Sequence, residues 1–171
     1  MKKFDVRLIA YLGMLTALGV ALRFVSITTE VTRISFGFIP IAAAGMLFGP
    51  IPAGIVGALI DVLGAFLFPT GAFFPGYTLT AFVTGLCWGI PFLHGKRSVP
   101  RLLLAVASNL ILCTLLLNTY WNALTRGAPF LPTLAPRLVQ AAVMAPIQFL
   151  LGGLLMKLAD RYGDRLVRRE K

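Results

Sequence analysis

Residues 33–82, RISFGFIPIAAAGMLFGPIPAGIVGALIDVLGAFLFPTGAFFPGYTLTAF, decide the class of this chain. Within them only Arg33 and Asp61 carry formal charge. Apolar groups recur on every face, so there is no water-facing stripe of the kind an amphipathic surface helix needs. Prolines and glycines at Gly49-Pro50-Ile51-Pro52 and at Pro69–Gly76 cut the run into helix-length pieces. One piece holds Asp61 between Leu59, Ile60, Val62 and Leu63. An ionisable group at hydrocarbon depth is costly, which points to a functional role and a nearby partner.

The rest of the chain agrees. Of 171 residues, 58% are hydrophobic and 13% charged, and the mean hydropathy is +0.86. Soluble domains carry about 25% charged residues, so the composition indicates an integral membrane protein, a single domain over residues 1–171. The net charge of +10 raises the question of nucleic acid. The basic residues, however, sit in short segments between apolar runs, as membrane topology requires and nucleic-acid binding does not. Cys87 and Cys113 lie inside apolar runs and form no CxxC, so neither a disulfide framework nor a metal site is expected. The basic start Met1–Arg7 leads into a run of span length with no cleavage signal after it, so no leader peptide is expected.

The fold class expected is all-α, an integral membrane bundle of six transmembrane helices. The first apolar run is Leu8–Leu22, extending to about Thr28. Gly13, Ala17 and Ala21 lie four apart on one of its faces, small enough to admit another helix. That helix could belong to this chain or to another. A polar connection covers Thr28–Arg33. Then come helices over Phe36–Phe48 and Ile51–Phe68, split by the GPIP turn, the first of them shorter than the roughly 20 residues of a full span. Spans over Tyr77–Leu93, Leu102–Leu124 and Leu134–Leu158 follow, with Pro136 in the first turn of the last and Pro146 kinking it. Six spans bring both termini to one side. Lys2, Lys3, Arg7, Lys96, Arg97, Arg101, Lys157, Arg161, Arg165, Arg168, Arg169 and Lys171 all fall on that side, against Arg23, Arg33, Arg126 and Arg137 elsewhere. The positive-inside rule then makes both termini cytoplasmic.

With that topology and a rise of about 1.5 Å per residue, the polar side chains collect toward the outer half. Arg23 ends helix 1 and Asp61 lies near the middle of helix 3. Tyr77, Thr78 and Thr80 open helix 4, with Phe73 and Phe74 just before them. Asn118, Trp121 and Asn122 share a face of helix 5 by their i, i+3, i+4 spacing, and Arg137 and Gln140 share one on helix 6. The inner half offers little beyond Thr84, Ser108 and Asn109. An outward-opening cavity lined this way suits a flat, partly polar, anionic molecule: Asp61 and the amides pair with ring NH and carbonyl groups, Phe74, Tyr77 and Trp121 stack, and Arg23 and Arg137 hold carboxylates. The competing reading makes the aromatics and arginines interfacial anchors, the amides interhelical glue, and Asp61 the partner of Arg23 or Arg137 in a structural ion pair. His94 reads as a solvated residue at the end of helix 4.

No constellation for chemistry is present. Gly89–Arg97 has five residues rather than four between its glycines and Arg where a phosphate loop needs Ser or Thr. Paired carboxylates, a Ser/His/Asp set and a metal-ligand cluster are all missing, so neither an enzyme nor a cofactor is expected. One carboxylate within the membrane is thin for a self-driven carrier, and no inverted repeat is evident. A binding cavity without a motor must borrow one.

Arg33-Ile-Ser-Phe-Gly-Phe-Ile-Pro-Ile, GMLFGP, GIVGALIDVLGA and FPTGAFFPGYTLTAF resemble the folate-specific S components of energy-coupling factor (ECF) vitamin transporters. The likeness is close over about residues 8–93 and chiefly one of layout over 100–171. It implies a six-helix bundle in the prokaryotic cell membrane that captures folate from outside. It further implies docking on a membrane scaffold subunit that bears two cytoplasmic ATPase subunits, and toppling in the bilayer to release the vitamin. The family's small-xxx-small docking motif falls on Gly13 and Ala17, with Ala21 one turn on; Gly replaces the usual first Ala. Gating loops fall on Ile27–Arg33 and Pro69–Gly76. The rivals are an S component for another vitamin and a structural membrane protein without a ligand.

Overall fold

A computed structural model describes residues 6–24, 27–28, 33–34, 36–68, 73–93, 97–127 and 129–167. His94, Lys96 and parts of both expected gating loops (29–32 and 69–72) lie outside the described residues. Six helices make up the fold of the described residues. They are α1 (Val6–Phe24), α2 (Phe38–Phe48), α3 (Pro50–Leu67) and α4 (Pro75–Gly89), then α5 (Val99–Arg126) and α6 (Phe130–Val167). Four of them, α1, α3, α5 and α6, are long and apolar enough to cross a membrane. At 11 residues, α2 spans about 16 Å, half of a hydrocarbon core of roughly 30 Å. The chain is a multi-pass membrane protein.

Several boundaries differ from the expectation, each for a local reason. The four-residue GPIP turn shrinks to Gly49 alone, at φ 96° and ψ −178°. Only glycine takes that conformation without strain, and Pro50 then opens α3 at a position where its missing N–H costs nothing. The connection after α1 is not wholly irregular: Ile27–Thr28 (β1) pairs antiparallel with Arg33–Ile34 (β2). A two-residue ladder leaves no periodicity to read. A 3-10 turn, Ile90–Phe92, closes α4 at Pro91. The last helix starts at Phe130, so Pro136 stands inside it and not in its first turn. The helix runs on past Leu158 into the charged tail, as far as Val167. Its 38 residues span about 57 Å, well beyond the hydrocarbon.

Glycine allows the tightest packing in the bundle, between α3 and α4. A Cβ on Gly57 would strike the Ala81 carbonyl, and one on Gly85 would strike the backbone of Ala53 and Gly54. Small residues bring membrane helices into close contact where no hydrophobic effect drives them together. Two apolar clusters flank this contact. One gathers Phe38, Met46, Trp88, Leu102 and Met144 from α2, α4, α5 and α6; the other gathers Ile41, Val56 and Ile60 with Leu12 and Leu15 of α1. Exposed leucines such as Leu104, Leu131 and Leu150 face outward as a lipid-solvated surface requires. At the Gly49 end, Arg97 ties three elements together. Its guanidinium donates to the Met46 carbonyl at 3.0 Å and the Ala159 carbonyl at 3.2 Å, and pairs with Asp160 at 3.0 Å.

Candidate functional site

Asp61 is the twelfth of the 18 residues of α3, about 9 Å before the helix ends. That depth matches the last turn of α1, where Arg23 sits. The two meet: Arg23 Nη1 lies 2.8 Å from Asp61 Oδ1, with both side chains 15% exposed. The same nitrogen donates to the Asp61 carbonyl at 3.2 Å. Gly64, one turn further along α3, leaves room for this, because a Cβ there would collide with the Arg23 side chain. The second carboxylate oxygen accepts a 2.9 Å hydrogen bond from Thr78 on α4. The carboxylate thus gains a countercharge and a hydroxyl, which is what removal from water demands.

A second group forms where α4 meets the end of α5. Trp121 Nε1 donates to the Thr80 hydroxyl at 3.1 Å, and that hydroxyl donates to the Gly76 carbonyl, also at 3.1 Å. The indole lies 5.5 Å from the Phe74 ring and 4.9 Å from Tyr120, and Phe74 meets Tyr77 edge-on at 5.9 Å. Such separations and tilts are favourable for aromatic pairs. Gly76 is fixed by this cluster, since a Cβ would strike Phe74 and come within 2.7 Å of Trp121.

The arrangement brings together Arg23 with Asp61, and Phe74 with Tyr77 and Trp121. The other expected residues engage more locally. Asn122 is buried and donates to the Asn118 carbonyl at 2.8 Å within its own helix. Arg137 donates to Gln140 at 2.7 Å, one turn on in α6. Of the two arginines that could pair with Asp61, Arg23 does so. Arg137 has a neutral amide as its partner, which leaves its charge available to an anion.

Thr78 and Thr80 join these two groups; the sequence reading places both at the outer opening of helix 4 but assigns neither a ligand contact. They are two residues apart, so they leave α4 on different sides: Thr78 toward α3, Thr80 toward α5. The signal was faint but present, two threonines in the opening turns of a largely apolar helix. Along α1, Gly13, Ala17 and Ala21 are all exposed, and a Cβ on Gly13 would meet nothing within 4 Å. The small-residue face is therefore turned away from the described bundle.

Residues 7–157 match the family described as ECF transporter, substrate-specific component. The chain is 46% identical over 162 residues to "Folate transporter FolT" of Clostridium novyi, covering 94% of this chain and 93% of that one. It is 32% identical over 152 residues to "Folate transporter FolT" of Leuconostoc mesenteroides, covering 85% and 82%. Its structure is similar to that of FolT bound with folic acid, with a TM-score of 0.83 and 35% identity over 90% of this chain and 94% of the other. The biotin S component of an ECF-type transporter shares the fold at a TM-score of 0.67 and 19% identity, over 94% of each chain.

Proposed function

The chain belongs to the ECF transporter substrate-specific component family, and from that membership we propose that it is the folate-binding S component of such a transporter. One observation carries the reading. Sequence and fold point to the same kind of relative, with 46% identity to one folate transporter and a TM-score of 0.83 to a folate-bound one. The biotin component shares the fold at far lower identity, so the ligand is read from the sequence likeness and not from the architecture. Chemistry agrees with it: folate is flat, aromatic at one end and dianionic at the other. Phe74, Tyr77 and Trp121 offer rings, Asp61 with Thr78 offers a polar edge for the pterin, and Arg137 with Gln140 offers a cation for a glutamyl carboxylate. Asn118 and Asn122 complete the wall. Arg23 acts on the ligand chiefly through Asp61, whose charge it balances.

The finer parts of the reading rest on the sequence. Residues 1–171 form one six-helix domain. The basic bias sets both termini in the cytoplasm of a prokaryotic cell, with the site facing outside beneath the loops Ile27–Arg33 and Pro69–Gly76. Transport is driven by a scaffold subunit and two ATPase subunits, and this chain performs no catalysis of its own. The exposed Gly13, Ala17 and Ala21 face supports docking of that scaffold on α1.

Titration of the purified protein against folic acid, 5-formyltetrahydrofolate, biotin and riboflavin tests the ligand. Saturable binding confined to the folates is expected; binding of another vitamin alone overturns it. Co-purification tests the partner: Ala17→Trp is expected to lose the scaffold and ATPases while keeping folate affinity. The Arg23–Asp61 contact also favours a second, structural reading of Asp61. That reading is favoured if Asp61→Asn leaves folate affinity intact.

A further inference from the structure

The fifth helix is not α-helical throughout. Asn109–Leu117 is a nine-residue π segment, closed by the Asn118 N–H donating to the Cys113 carbonyl five residues back. The Thr119 hydroxyl reaches the Thr114 carbonyl, again five back, at 3.5 Å. π geometry is rare, usually confined to one turn, and concentrated at functional sites. Its effect can be read from burial. Before and into the segment, Leu102, Ala105, Val106, Asn109, Leu110 and Cys113 are buried, at the spacing of three and four that one α-helical face requires. Continued as an α-helix, that face would next carry positions 116, 117 and 120. Instead Leu116 and Tyr120 are 50% and 52% exposed, while Thr119 and Asn122 are 0% and 8%.

The winding accounts for this. An α-helix turns roughly 100° per residue and a π-helix roughly 82°, so nine residues lag by about 160°. Without that lag, Asn118 and Asn122 would lie roughly opposite the inward face, toward lipid. Polar contacts hold both ends of the segment. Asn109 donates to Gln148 of α6 at 3.1 Å, both buried, and Trp121 donates to Thr80 of α4 at 3.1 Å.

We infer that the π segment Asn109–Leu117 is a positioning element that stores surplus residues of α5 and thereby turns Asn118, Trp121 and Asn122 from lipid into the ligand site. The assignment of that site to folate rests on the function proposed above; the geometric part does not. The surplus is about one and a half residues. Removal of one residue is therefore absorbed when roughly half of the remaining segment reverts to α geometry, whereas an added residue has nowhere to go.

The test compares deletion of Leu112, a lipid-facing residue, with insertion of one alanine after it. Folic acid titration is expected to give the deletion an affinity within about threefold of the unaltered protein and the insertion a loss of at least about 100-fold. Trp121 fluorescence, read in a Trp88→Phe background or as the difference from Trp121→Phe, reports orientation without ligand. Quenching by bromolipid is expected to be unchanged by the deletion, whereas a deletion that the segment did not absorb would carry Trp121 to the place of Tyr120, 52% exposed. The insertion carries Trp121 to the place of buried Asn122, away from Thr80, and leaves it shielded from lipid. A deletion that exposes Trp121 to bromolipid overturns the inference whether or not folate binds, and so does an insertion that keeps full folate affinity. Unaltered protein that binds no folate while keeping this quenching pattern overturns the functional reading alone.

Discussion

The two ends of α4 pack in opposite ways. Its first turns, near Thr78 and Thr80, hold a charge pair, two hydroxyls and a ring cluster between α1, α3 and α5. Its last turns, near Trp88 and Gly89, are closed by apolar side chains and by backbone contact. Trp88 is fully buried, and a Cβ on Gly45 of α2 would come within 2.8 Å of the Trp88 backbone. At the rim of this end Arg97 caps carbonyls of α2 and α6. The lesson is one of division of labour along a helix. Close packing at the Gly89 end makes a rigid base; at the Thr78 end, polar groups that satisfy one another can also exchange partners with a ligand.

Substitutions at the two ends should therefore separate affinity from stability. The largest effect is expected at Asp61. Asp61→Ala leaves the Arg23 charge without its countercharge, a loss of about 3 kcal/mol for a largely buried pair, and folic acid affinity should fall by at least about 100-fold. Calorimetric titration measures it. The Arg23→Ala, Asp61→Ala double variant then sharpens the comparison: stability partly regained without affinity identifies the carboxylate itself as the ligand's partner. Next is Arg97→Ala at the opposite end. Loss of its carbonyl bonds should destabilise by about 2 kcal/mol, seen as a lower Tm in detergent, with folate affinity unchanged. An affinity loss as large as that of Asp61→Ala would break the division between the ends.

Smaller effects probe the ring cluster. Gly76→Ala should push Phe74 and Trp121 apart and weaken folate binding by about tenfold, about 1.4 kcal/mol, with a shift in Trp121 emission as the second readout. The least is expected from Thr80→Val, which removes the acceptor of the Trp121 N–H and a neutral hydrogen bond of about 1 kcal/mol. Its affinity loss should be about fivefold in the same titration.

Much of this was legible in the chain. The glycine and proline punctuation of residues 33–82 marked α2, α3 and α4 to within a few residues, and the charge-free runs marked the helices as membrane-embedded. The likeness of FPTGAFFPGYTLTAF to the folate-specific S components pointed to the family that residues 7–157 match. Less legible were features that depend on two elements at once. Thr78 and Thr80 look alike in sequence and act on different neighbours. The i, i+3, i+4 spacing of Asn118, Trp121 and Asn122 shows that they share a face, but not which way that face points.

By itself, then, the sequence determined that the protein is a membrane bundle with one carboxylate within it, because hydropathy is a property of residue types summed over a run. Only the tertiary structure decided that Asp61 pairs with Arg23 and not Arg137, that α4 supplies its hydroxyl, and that nine π-wound residues turn Trp121 toward Thr80. Pairing and helical phase are set by how distant segments pack. No local pattern of residues encodes the angle between two helices.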